Sequence, residues 1–130
     1  MSIARSMLLK AADSPWLAHQ MSQRAFARRA IRKFMPGETL EAALGAAQTL
    51  AAQGQGTILT QLGEALSSPE EALAVRDHYL DVFRQLKTRG LPSWISIKPT
   101  QLGIDQSLDA CRDHLMTLAQ AASESGSSLW

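Results

Sequence analysis

Apolar positions recur along this chain at helical spacing in four places, separated by short runs of alternating or β-branched residues. Between Trp16 and Met35 the residues Phe26, Ala27, Ala30, Ile31 and Phe34 form one apolar stripe. Arg24, Arg28 and Arg32 lie on the opposite face, and Pro36-Gly37 ends the predicted helix. A second helix starts at Thr39, a suitable N-cap, and carries Leu40, Ala43, Leu44, Ala47 and Ala51 on one side. Glu41 in its first turn favours the helix dipole, and Gly54 closes it. Thr57-Ile58-Leu59-Thr60 is short, β-branched at three of its four positions and preceded by glycines, which predicts a strand.

Ser68-Pro69-Glu70-Glu71 is the clearest local signal. Ser68 reads as the cap, Pro69 as the first helical residue, and Glu71 completes a capping box. The helix it opens runs to about Arg89 with Ala72, Val75, Tyr79, Val82, Phe83 and Leu86 as its buried stripe, and Gly90 ends it. Trp94-Ile95-Ser96-Ile97-Lys98 reads as a second strand, stopped by Pro99, and Thr100 to Gly103 as a loop. A helix from about Gln106 places Leu108, Cys111, Leu115, Leu118, Ala119 and Ala122 on one face. After Gly126, the run Ser127-Ser128-Leu129-Trp130 looks like the entry to a third strand.

Strand and helix alternation predicts parallel strands joined by right-handed crossovers. Ile58 and Ile95 are 37 positions apart, and Ile95 and Leu129 are 34. Near-equal βα units are the rhythm of a (β/α)8 barrel, which needs about 250 residues. The fold expected is therefore α/β: either a small open sheet, or the first two βα units of a TIM-like barrel, preceded by N-terminal helices and stopping at the third strand. Residues 1–37 are expected to form an N-terminal helical segment with a basic face, and 38–130 the partial barrel. A partial barrel leaves parallel strands with an open edge and an uncovered apolar face.

Composition narrows the function classes. Thirteen Lys and Arg against twelve Asp and Glu give a net charge of +1, which argues against general nucleic-acid binding. Seven of those basic residues, with the single acid Asp13, fall in the first 37 positions. A nucleic-acid or membrane contact would use that face, but the neutral total favours a solvated face on a packing helix. The opening residues are too weakly apolar for a signal peptide, and the Phe26 to Phe34 stripe argues against a transit peptide. No apolar run approaches the ~18 residues of a membrane span, so the expected setting is cytoplasmic, without stable membrane insertion.

Candidate chemistry is sparse. His19, His78 and His114 lack metal-ligand spacing, and the lone Cys111 lies on an apolar stripe, so no metal site or nucleophile is assigned. Gly54-Gln55-Gly56 precedes a strand, whereas a dinucleotide loop follows one. No Gly-x-Ser-x-Gly occurs. Lys98 is different, because it stands at the C-terminal end of a predicted parallel strand, where barrels and open sheets hold their sites. Alternation puts Trp94, Ser96 and Lys98 on one face and Ile95 and Ile97 on the other. Position alone leaves open whether Lys98 serves a site or reaches solvent.

Three stretches in this order resemble the start of the bacterial, single-function proline dehydrogenases: Pro36 to Leu44, Leu62-Gly63-Glu64, and Ser96-Ile97-Lys98-Pro99-Thr100-Gln101-Leu102-Gly103. The last is the most specific. The likeness runs over roughly residues 20–130 and corresponds to the first third of a complete family member. It implies a distorted (β/α)8 barrel that binds FAD, oxidises L-proline to pyrroline-5-carboxylate and passes electrons to a quinone. Lys98 matches the lysine beside the flavin and the substrate carboxylate, so it is the one substrate- and cofactor-binding residue implied, with no catalytic residue assigned. Thr60 stands where the family usually has Asp. The chain stops before the acidic strand, the later flavin contacts and the paired arginines, so the 130 residues alone are expected to be inactive. Two rivals remain on the residues themselves: a Schiff-base lyase using Lys98, and a small non-enzymatic α/β binding module using its basic first helix.

Overall fold

A computed structural model describes residues 39–63 and 66–130. The helix expected over Trp16 to Met35, the domain boundary at 37 and Glu64 of the Leu62-Gly63-Glu64 triplet lie outside the described residues. The order is α1 (Leu40–Ala51), β1 (Thr57–Leu59), α2 (Pro69–Arg89), β2 (Ser93–Ile95), a 3₁₀ turn (Pro99–Leu102) and α3 (Leu108–Ser125). The fold is mixed α/β, with β1 and β2 parallel and paired Thr57 to Ser93, Ile58 to Trp94 and Leu59 to Ile95.

The final residues add a third parallel strand's beginning beside β2. Leu129 bridges Ile95. Ile95 N–H donates to Ser128 at 2.9 Å, Trp130 N–H to Ile95 at 2.8 Å and Ile97 N–H to Trp130 at 2.9 Å. Hydroxyls fix the register at the other end. Thr57 and Ser93 share a 2.6 Å hydrogen bond, and the Ser127 hydroxyl donates to the Ser93 carbonyl at 2.6 Å. Both strands are shorter than expected. β1 ends at Leu59 because the next backbone groups turn to side chains, and β2 ends at Ile95 although Ser96 N–H still donates to Leu59 at 2.9 Å.

The core lies on one side of the sheet. Tyr79, Val82, Phe83 and Leu86 of α2 meet Ile95, Ile97, Leu102, and Cys111, Leu118 and Ala122 of α3, with Leu44 of α1 joining them. Cys111 is buried, and its thiol donates to the Pro99 carbonyl at 3.6 Å. Burial pushes its pKa up, away from nucleophile chemistry. The buried face of α3 departs from the expected stripe. His114 is buried with Cys111, Leu118 and Ala122, whereas Leu108 and Ala119 face solvent. At about 100° per residue, the buried direction centres on Cys111, His114 and Leu118, and Leu108 and Ala119 fall roughly a quarter turn to its flank.

The helix ends show which local signals survive. The Thr39 hydroxyl caps α1 by accepting from Ala42 N–H at 3.3 Å, and Ser107 caps α3 by accepting from Ala110 N–H at 3.2 Å. Ser68 occupies the N-cap position of α2 with Pro69 following, but its side chain makes no capping hydrogen bond. It supports the neighbouring Glu70 carboxylate, which is held below its usual pKa mainly by the Glu70 backbone amide and then by Ser68. The Glu71 carboxylate instead accepts from Ser67 N–H at 2.6 Å. Neither half of the expected box forms; Glu71 reaches one residue further back instead, past Ser68 to Ser67. Ser68→Ala is expected to cost well under the ~1 kcal/mol of a lost cap, and Glu71→Ala about 0.5–1.5 kcal/mol, read by urea unfolding of the two variants side by side.

Arg89 at the end of α2 forms a two-pronged pair with Glu41 of α1, at 2.7 and 3.2 Å. The hydrogen bonds from Arg89, and then its charge, hold the Glu41 carboxyl below its ordinary pKa. A lowered carboxyl pKa supplies stability above the unfolded value of about 4.3 and loses it as pH falls through the folded value. Melting temperature should therefore drop more steeply for the native sequence than for Glu41→Gln as pH falls below about 4.3. Added salt should shrink that difference, since the pair is at the surface. Parallel acid slopes for the two proteins would show that the pair contributes nothing.

Candidate functional site

The C-terminal ends of β1 and β2 come together around the 3₁₀ turn. Lys98 has an extended backbone, with φ −100° and ψ 140°, immediately before that turn. Its side chain is exposed, as is Thr60 at the end of β1, and Ser96 is half-buried between Ile95 and Ile97, which are both buried. The expected alternation holds: the isoleucines face the helices, and Trp94, Ser96 and Lys98 take the other face.

That other face is uncovered among the described residues. Ile58 is 58% exposed, Trp94 44% and Trp130 67%. The two indoles stack, with ring centroids 5.7 Å apart and planes at 26°. The sheet thus presents an apolar floor of Ile58, Trp94 and Trp130, with the polar groups of Thr60, Ser96 and Lys98 towards the C-terminal ends of the strands. The Thr60 hydroxyl, which stands where an Asp is expected from the resemblance, donates only a long 3.5 Å bond to the Gln61 carbonyl.

The backbone beneath this edge is tightly held. The Gln101 side chain is 3% exposed. Its Oε1 accepts from Lys98 N–H at 2.9 Å, and its Nε2 donates to the carbonyls of Gln61 and Gly63 at 2.8 Å each. The Gln101 N–H donates to the Lys98 carbonyl at 2.9 Å, so both backbone groups of Lys98 are bound by one residue. Tyr79, buried on α2, accepts from Gln61 N–H at 2.8 Å through its hydroxyl. Gly103 closes the turn at φ +79°, a left-handed conformation, and a Cβ there would meet Ala72 Cβ at 3.3 Å. Thr-Gln-Leu-Gly after Lys98 is thereby a packing unit: buried amide, buried leucine, and a glycine that lets α2 approach.

Sequence reasoning singled out Lys98 and missed Gln101, and it took Tyr79 only as core. The signal for Gln101 was its place three residues after Lys98, since a turn of that length brings the amide back to the strand end. Among the described residues no three His, Cys, Asp or Glu side chains cluster as metal ligands. Among them, too, no helix is long and apolar enough to cross a membrane.

Comparison with known proteins gives a direction. No family model matches the chain. It is 28% identical over 97 residues to proline dehydrogenase 1 of Bacillus subtilis strain 168, covering 75% of this chain and 32% of that protein. The same enzyme of Bacillus subtilis subsp. natto gives the same figures. Proline dehydrogenase 2 of subsp. natto is 25% identical over 122 residues, covering 94% of this chain and 40% of that protein. The likeness is to part of a proline dehydrogenase. The chain spans about a third of the length of the first two relatives.

Proposed function

We propose that this chain is the N-terminal part of a FAD-dependent proline dehydrogenase, an enzyme that oxidises L-proline to pyrroline-5-carboxylate and hands the electrons to a quinone. The observation that carries the reading is Lys98, exposed three residues beyond the C-terminal end of the parallel strand β2, within the stretch most like that family. In this reading the uncovered sheet face is the inner wall of a (β/α)8 barrel.

The residues present fit one part of the cofactor. An apolar floor with a cation at its rim suits a flat ring system that gains negative charge on reduction, with a substrate carboxylate beside it. When bound, FAD would supply the two-electron acceptor for the hydride leaving the ring carbon that flanks nitrogen on the side away from the carboxylate-bearing carbon. What this chain contributes is positioning and charge. Lys98 supplies a compact ammonium that pairs with the proline carboxylate, fixing which ring edge is presented. Ile58, Trp94 and Trp130 supply a surface that displaces water from the site and strengthens that pairing. The proton lost from the proline nitrogen is not assigned to any residue of this chain.

The test is the polypeptide encoded by the whole reading frame that contains these residues. Purified, it should be yellow with bound flavin and reduce a dye in the presence of L-proline. A folded product without flavin and without proline oxidation would sink the reading. The 130 residues made alone should be colourless under the same assay.

A further inference from the structure

Two ends of parallel strands do not hold a fixed distance on their own, because the ladder stops before the residues that matter. β1 ends at Leu59 and β2 at Ile95, yet Thr60 and Lys98 lie beyond them. What spans the gap is the Gln101 amide. Both Nε2 hydrogens go to carbonyls of the loop after β1, Gln61 and Gly63, while Oε1 takes the Lys98 N–H. The amide is buried although its partner residues are exposed, and removing it takes the partner from three backbone groups at once. The Lys98 backbone has no slack left, since its carbonyl is held by the Gln101 N–H as well.

We propose that Gln101 is a positioning residue that sets where Lys98 stands relative to the loop after β1, and so where a substrate carboxylate is received. The inference rests on the proline dehydrogenase reading for the role of Lys98. Gln101 does not itself reach substrate: both amide hydrogens are taken by the protein, and the side chain lies beneath the strand ends.

The experiment uses the flavin-loaded enzyme from the whole reading frame. The probes are L-proline and tetrahydrofuran-2-carboxylate, which is the proline ring with oxygen in place of nitrogen and cannot be oxidised to an imine. Gln101→Met keeps the length of the side chain and deletes all three amide bonds. The expected result is a rise of tenfold or more in KM for proline and in the inhibition constant, with flavin content unchanged and kcat altered less than about threefold. The decisive readout is the double variant. If Gln101 acts through Lys98, adding Lys98→Met to Gln101→Met costs less than a further threefold, although Lys98→Met alone costs far more. Losses that simply multiply would make Gln101 a structural residue only and overturn the proposal.

A second measurement needs no variant and stands if Gln101→Met fails to fold. In the unmutated enzyme, tetrahydrofuran-2-carboxylate should slow amide hydrogen exchange over residues 58–63 and 95–103 together. Slowing confined to 95–103 would show that the two ends are not coupled. If the unmutated enzyme carries no flavin and does not oxidise proline, the failure belongs to the family reading, and the role given to Lys98 falls with it.

Discussion

On the proline dehydrogenase reading, Lys98→Met in the complete enzyme is expected to lower kcat/KM for L-proline by roughly ten- to hundred-fold. The substitution keeps the stem of the side chain and removes one charge-assisted bond, worth about 1.5–3 kcal/mol. The structure sharpens the expectation. Lys98 is exposed on the uncovered sheet face, and its backbone is fixed from both sides by Gln101, so the substitution removes a charge without loosening the turn. The same loss should appear for a carboxylate inhibitor, while flavin content changes little. Lys98→Arg should restore only part of the activity, because a planar fork does not reproduce a compact ammonium. A Schiff-base lyase would behave otherwise: borohydride with a carbonyl substrate would trap an adduct on Lys98 in the absence of flavin. Unchanged inhibitor affinity in a flavin-loaded Lys98→Met enzyme would remove Lys98 from the site.

Tyr79→Ala is expected to destabilise the protein by about 3–5 kcal/mol, the range for truncating a buried aromatic side chain. Tyr79 is 1% exposed and sits in the core with Phe83, Val82 and Leu86. Its hydroxyl does a second job, accepting from Gln61 N–H at 2.8 Å. Tyr79→Phe isolates that job. Leaving the Gln61 amide without its partner should cost about 1–3 kcal/mol, and urea unfolding of the whole polypeptide would measure both variants. The Phe variant should also speed amide exchange over residues 60–63 more than over α2 itself, since only the loop loses a bond. A Phe variant as stable as the native protein would mean that water replaces the hydroxyl and that Gln101 alone holds the loop.

Much of this architecture can be read from local rules. Thr39 and Ser107 cap because a short hydroxyl in extended backbone reaches the amide three residues on, which needs no tertiary partner. Tyr79, Val82, Phe83 and Leu86 are buried where 3.6-residue spacing puts them. The strand order, and the start of a third strand at Leu129, follow from βα alternation. The exposure of Lys98 follows from alternation, which turns Ile95 and Ile97 inward and leaves Lys98 outward just beyond β2.

The remainder depended on what each segment meets in space. Ser68 and Glu71 spell a capping box, but Ser68 supports Glu70 and only Glu71 binds back, to Ser67. The choice among nearby polar partners is decided by the approach of the preceding loop, which no periodicity encodes. The stripe on α3 was rotated because burial is set by where α2 and the 3₁₀ turn lie against it, so His114 went inside and Leu108 stayed out. The spacing from Lys98 hints at one of the bonds of Gln101, but its other two were invisible for the same reason. Its partners Gln61 and Gly63 are about forty positions away in sequence, and only the parallel pairing of β1 with β2 brings their carbonyls to its amide. Over residues 39–130 the local pattern was enough to say which stretches are helix or strand and which side chains are apolar enough to bury, but it carried the second strand on to Lys98, three residues past its end at Ile95. Tertiary structure decided which polar groups satisfy one another, because a buried amide takes whichever backbone groups the folded chain leaves unpaired beside it.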